Sequence, residues 1–410
     1  MGNIVTDKNQ TQRLLFIDEE FPFPLNSGKR LRTYNLLVEL ARRNEVSFLA
    51  YGRDDSESYR HFKAAGFNPI AVSPPDLRQH GLLFYLRLLA NLLSPYPFIV
   101  TRHYTARFQR KLQVILDQNK YDALLIEWSP YARFIKHIDG VRKIIVAHNI
   151  ESNIWRRYER QETNLLRRLY ISLQRAKVER FEAACFHWAD GATAVSEVEA
   201  ETIADFGVPY QVAVIENGVD TEYFSGEDTI DNDNIVFSGA MDWRPNQDAA
   251  EFLMREILPL IRKTHPNVTV TIVGRKPPSQ IQDLATATGV EVTGTVDDVR
   301  PFVRRAAVFV VPLRIGGGSR LKILEAMSLG KAVVSTTVGA EGLRVTDQEN
   351  ILLADSPDAI ASAVRKCLDD LSLRQRLGAA GRALVEQEYR WSILGQKYHE
   401  YICKTLVTKK

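Results

Sequence analysis

Apolar and polar positions alternate along this chain in a βα rhythm from one end to the other. Short apolar runs of strand length are separated by stretches whose apolar residues recur at helical spacing. The first run, RLLFID at 13–18, leads into a Pro/Gly-punctuated loop, FPFPLNSG, and then a helix predicted over about 29–43, with Leu31, Tyr34, Leu37, Val38 and Ala41 on one face. Further strands are predicted at 46–51, 69–72, 123–127 (ALLIE), 143–147 (KIIVA) and 192–195. A polar stretch at 225–234, SGEDTIDNDN, reads as a boundary or hinge. A second series follows at 235–238, 268–273, 291–293, 308–312, 332–335 and 351–353, with a long helix over 245–263. Apolar strands alternating with helices imply parallel sheets covered on both faces. The prediction is an α/β protein with two doubly wound parallel-sheet domains, residues 1–210 and 211–390, and a C-terminal helix, 391–410, that crosses back to the first domain.

Two segments break the rhythm. LLFYLRLLANLL at 82–93 is a very apolar helix, and 151–188 is long, helical and studded with arginine (Arg156, Arg157, Arg160, Arg167, Arg168, Arg175). Two readings stay open: packing inside the first domain, or an amphipathic surface that meets a membrane, which needs basic residues beside an apolar face.

Composition narrows the class. A chain of 410 residues is long for one core. Its 45% hydrophobic and 25% charged content is globular. A net charge of +3 argues against a nucleic-acid partner while permitting local basic patches. No apolar run has the ~18 residues that cross a bilayer, and the polar start MGNIVTDKNQTQR reads as no secretion signal. Cys185, Cys367 and Cys403 are widely spaced and odd in number, as in a reducing compartment. The expected location is the cytoplasm, with the inner face of the membrane as a further possibility.

The chemistry concentrates in VFVVPLRIGGGSRLKILEAMSLG at 308–330. An apolar strand runs into Gly316, Gly317 and Gly318, and a helix is predicted to open at Ser319. Glycines let a ligand approach the backbone closely, and a helix start favours an anion such as phosphate. Arg320 and Lys322 in the expected first turn oppose the helix dipole, so a bound phosphate would explain them. Glu325 lies on the same side of this apolar helix as Lys322. It would either accept hydrogen bonds from a ribose diol or form a salt bridge to Lys322 or Arg320.

This stretch resembles the donor-binding signature of the retaining group 1 glycosyltransferases of the GT-B fold, in which two Rossmann-like domains face a cleft. Glu325-Ala326-Met327-Ser328 matches the second half of that signature, which implies that Glu325 binds donor ribose. The first Glu of the pattern falls at Gly317, so backbone N–H groups of Gly316–Gly318 are expected to replace it. The segment 238–246, SGAMDWRPN, is similar to the strand–loop–helix that opens the family's donor domain, implying phosphate-facing roles for Gly239 and Arg244; Ala250 stands where a Lys is usual, and Lys322 is expected to substitute. IENGVDTEYF at 215–224 resembles the interdomain segment, and Gly28, Lys29 and Arg30 resemble the acceptor-side loop. His148, after a strand, falls where the family places a His beside the donor, though a lone His at a strand end is more often structural.

The resemblance implies retaining transfer from a nucleotide-sugar co-substrate to a glycan, lipid-linked or other hydroxyl acceptor. His148, Arg244 and Lys322 would carry catalysis. Gly239, Arg244, Gly316–Gly318, Ser319, Arg320, Lys322 and Glu325 would hold the donor. No metal or other cofactor is expected, since Asp54-Asp55, Asp297-Asp298 and Asp369-Asp370 read as turn or helix-start residues. A dinucleotide-dependent oxidoreductase is disfavoured because Leu321 occupies the third glycine position of G-x-G-x-x-G. A sugar-nucleotide epimerase of the same fold, or a silent nucleotide-sugar-binding protein, remains the alternative.

Overall fold

The structure is a computed structural model that describes residues 11–75, 81–225, 233–315 and 320–408. The chain divides into two compact units, residues 1–216 with 395–410, and residues 217–394.

The first unit is built on a seven-stranded, wholly parallel sheet: β1 (Arg13–Asp18), β2 (Glu45–Tyr51), β3 (Asn68–Val72), β4 (Ala123–Ile126), β5 (Arg142–Val146), β6 (Gly191–Ala194) and β7 (Ala213–Val214), in the order β3-β2-β1-β4-β5-β6-β7. The two-residue β7 has too little pattern to be read from sequence. Leu14–Ile17, Leu124–Ile126 and Ile144–Val146 are fully buried, as a sheet covered on both faces requires. The predicted 151–188 helix is two helices, Glu151–Gln161 and Leu165–His187; Asn164 caps the second by accepting from the Arg167 N–H.

The second unit has a six-stranded parallel sheet: β8 (Asn234–Ser238), β9 (Thr269–Val273), β10 (Glu291–Val292), β11 (Val308–Val311), β12 (Val333–Ser335) and β13 (Leu352–Leu353), ordered β10-β9-β8-β11-β12-β13. The helix predicted over 245–263 runs from Arg244 to Arg262 but contains a π turn at Leu253–Ile257. Pro259 lies just beyond it. A proline inside a helix lacks an N–H and its ring clashes with the carbonyl four residues back, and the wider turn relieves that clash.

The terminal helix, Trp391–Val407, has its last part in the first unit. The Tyr401 hydroxyl there accepts from the Ala192 N–H at 2.9 Å and donates to the Gln211 carbonyl. A side chain on Gly191 would stand 2.8 Å from that oxygen, so β6 needs glycine for the helix to dock.

Candidate functional site

Both sheets reverse their strand order at one place, between β1 and β4 in the first and between β8 and β11 in the second. In doubly wound folds ligands bind outside the carboxyl ends of the strands at such a reversal. Among the described sequence-predicted residues, Gly239 and Lys322 lie at the second reversal and Lys29 reaches the end of β1 at the first.

In the second unit, the loop after β8 carries Gly239, and the chain after β11 leads into the Leu321–Ser328 helix. Gly316, Gly317, Gly318 and Ser319 lie outside the described residues. Lys322 reaches from the helix to the β8 loop: its Nζ donates to Asn246 Oδ1 at 2.8 Å and sits 4.7 Å from the Phe237 ring centre. Asn246 in turn donates to the Ala240 carbonyl at 2.8 Å. A Cβ on Gly239 would meet both the Lys322 Nζ and Asn246 at 2.7 Å. Glycine at 239 is thus what lets the lysine lie against the loop backbone, and the structure brings Gly239 and Lys322 together across 83 residues of chain.

Burial pulls the Lys322 ammonium down to about 7 despite the nearby Glu325, and pushes the Glu325 carboxyl up to about 7 despite the nearby Lys322. Among the described residues the Glu325 carboxylate accepts no hydrogen bond. The salt bridge weighed from sequence is therefore not formed: Lys322 turns to Asn246, and Arg320 pairs with Glu341 at 3.1 Å. Arg320 corrects the sequence reading in a second way. It precedes the helix instead of lying in its first turn, takes a left-handed backbone (φ 50°), and buries its guanidinium against Glu341. Arg244 begins the Arg244–Phe252 helix, is exposed, and makes no ion pair among the described residues.

In the first unit, His148 follows β5 and presents Nε2 to Glu127 Oε2 at 3.0 Å, with both side chains buried. The Thr33 hydroxyl donates to the same oxygen at 2.9 Å. Burial lowers the His148 pKa against the pull of Glu127, favouring the neutral ring. Burial works against the Glu127 charge, yet its bonds from His148 and Thr33 hold its carboxyl below the usual range. Gly28 opens the Gly28–Ala41 helix. Lys29 donates to Asp18 Oδ1 at 2.6 Å and Glu19 Oε1 at 2.8 Å, and Arg30 pairs with Glu20. Both cations are thus engaged by the acids that close β1. Burial pushes Asp18 up to about 7, partly countered by Lys29. Glu127, Asp18 and Glu19 were not singled out from sequence. The available signal was a carboxylate at the end of an otherwise apolar strand, as in RLLFID and ALLIE.

A cavity of about 630 Å3 opens elsewhere in this unit, lined by Arg13, Asn44, Glu45, Ser47, Lys111 and Tyr121. It lies at the amino ends of the strands, away from these groups.

Residues 28–223 match the model of Glycosyltransferase Family 4, and residues 232–370 match that of Glycosyl transferases group 1. The two models follow the two sheets in order along the chain, and both describe glycosyltransferases. It is 30% identical over 152 residues to the GDP-mannose-dependent monoacylated alpha-(1-6)-phosphatidylinositol monomannoside mannosyltransferase of Corynebacterium glutamicum; the match covers 34% of this chain and 40% of that protein. Among solved structures it is similar to sucrose-phosphate synthase from Thermosynechococcus elongatus, at TM-score 0.69 and 17% identity over 96% of this chain and 98% of that one. It is also similar to Anabaena HepE in complex with UDP and glucose, at TM-score 0.64 and 13% identity over 95% and 99% of the two chains. The two parallel-sheet α/β domains are those of the GT-B glycosyltransferases.

Proposed function

We propose that this glycosyltransferase moves a sugar from a nucleoside-diphosphate donor to a hydroxyl of a glycan or lipid-linked acceptor, with retention of anomeric configuration and without a divalent metal. The observation that carries the reading is the Lys322 ammonium held against the Gly239 loop, beside Glu325, where the second sheet reverses. That pairing offers a cation for the diphosphate and a carboxylate for the ribose diol, each on one rigid helix. Bond cleavage leaves growing negative charge on the departing diphosphate, and positive groups positioned in advance stabilise it. Lys322 and Arg244 take that part, and the sequence expectation adds the backbone N–H groups of Gly316–Gly318. His148, backed by Glu127, takes part in transfer. Gly28, Lys29 and Arg30 belong to the acceptor side, where Lys29 and Arg30 act as ordered scaffold through their acidic partners. The nucleotide in HepE and the nucleotide-sugar donor named for the C. glutamicum relative support the donor class. The expected place of action is the cytoplasmic side of a membrane.

The test is transfer from UDP-, GDP- and ADP-sugars to a mixed glycan and glycolipid acceptor pool, with excess EDTA throughout and the product anomer read by NMR. Retained configuration and EDTA-resistant turnover are expected. Nucleotide binding without transfer from any donor would make this a binding protein, and activity that returns only with magnesium would overturn the metal-free reading.

A further inference from the structure

The first unit exposes apolar surface on two of its helices. In the Leu82–Leu92 helix only Asn91 is fully buried. Its amide donates to the Tyr96 carbonyl and the Thr101 hydroxyl and accepts from Gln174, while Lys177 Nζ donates to the Asn91 carbonyl. The helix is thereby fastened at one end to the Leu165–His187 helix, while Leu82 (77% exposed), Leu83, Tyr85, Leu86 and Leu89 face outward. The Leu165–His187 helix begins in the same way, with Leu165, Leu166 and Leu169 at 77%, 80% and 70% exposure. Surface of this kind is unfavourable in water and marks a site of association.

The charges around the second patch select its partner. Arg156 and Arg175 are tied to Glu179 and Glu159. Arg157, Arg160, Arg167 and Arg168, flanking the leucines, are exposed and make no ion pair among the described residues. Exposed leucines close in sequence to exposed arginines that make no ion pair among the described residues are the composition of an interfacial helix on an anionic bilayer. A second copy of the chain fits poorly, because a twofold contact through this patch would set the same arginines against each other.

We propose that this surface, the start of the Leu165–His187 helix together with the Leu82–Leu92 helix, docks the enzyme on an anionic lipid bilayer. The leucines enter the headgroup boundary and Arg157, Arg160, Arg167 and Arg168 meet acidic headgroups. This deepens the reading of the acceptor as membrane-borne, yet docking needs no turnover, so the two fail separately.

The test is co-sedimentation of the full chain with phosphatidylcholine vesicles, with and without phosphatidylglycerol, at low and moderate salt. Binding is expected only with phosphatidylglycerol and should weaken by about tenfold or more as salt screens the arginines. L165S/L166S/L169S should lose binding while keeping its thermal unfolding and nucleotide affinity, since these side chains are exposed. A quadruple Gln variant at Arg157, Arg160, Arg167 and Arg168 should bind both vesicles equally poorly. No sedimentation at low salt, undiminished binding by the serine variant, or a concentration-dependent dimer that the serine substitutions dissolve would each overturn the proposal.

Discussion

His148 meets Glu127 through Nε2, at 3.0 Å, on an oxygen that also accepts from Thr33. Since Glu127 is held ionised and burial keeps the ring neutral, Nε2 carries the proton and Nδ1 is left with its lone pair. The carboxylate thereby chooses the tautomer of a residue 21 positions away.

His148→Ala should cut turnover by roughly tenfold to a hundredfold, the range of ~1.5–3 kcal/mol for a lost charge-assisted contact, and should also lower the melting temperature, since the buried Glu127 carboxylate loses a donor. Glu127→Gln can offer an N–H to Nε2 and shift the proton to Nδ1. Nitrogen NMR of labelled histidine should show that exchange of tautomer, and turnover should fall with it. An unchanged tautomer, or normal turnover by His148→Ala, would return His148 to a structural role.

Lys322 is charged below about 7 in the free protein, and a diphosphate favours its charged form. Nucleoside diphosphate affinity should therefore fall as pH rises from 6 to 9, while nucleoside affinity stays level over the part of that range above 7.5. Lys322→Met should weaken the diphosphate by about tenfold to a hundredfold and flatten its pH dependence. Calorimetric titration of both ligands across that range checks it; a steep profile surviving in the methionine variant would assign the dependence to another group.

Glu325 carries the opposite sign. Its folded pKa of about 7 lies above the ordinary 4.5, so its contribution to stability is full below 4.5 and is lost as pH rises through 7. Glu325→Gln should consequently raise the melting temperature at pH 8 relative to wild type, and leave it little changed at pH 4. The same variant should discriminate less against a 2′-deoxynucleotide than wild type does. A variant that is less stable at pH 8 and keeps full ribose discrimination would mark Glu325 as a structural carboxylate.

The strand–helix alternation was legible because burial on both faces of a parallel sheet writes itself locally, as apolar runs such as LLIE before Trp128 and VFVV before Pro312. The glycine at 239, the cations at 244 and 322 and the carboxylate at 325 were legible as a resemblance, since each sits at a fixed offset from a strand. The π turn before Pro259 and the break before Leu165 were not, because periodicity within a helix carries no record of a single lost bond.

The chain by itself determined two parallel sheets, their helices, and which segments end at the carboxyl edges of the strands, because those properties depend on neighbours within a few residues. Only the tertiary structure decided how the charged groups are spent. It gave Lys322 to Asn246 and not to Glu325, Arg320 to Glu341, and Lys29 to Asp18 and Glu19. It also set Glu127 behind His148. Those choices rest on strand ends from distant parts of the chain converging at a reversal of strand order, where burial makes each unpaired charge costly and distance alone selects its partner.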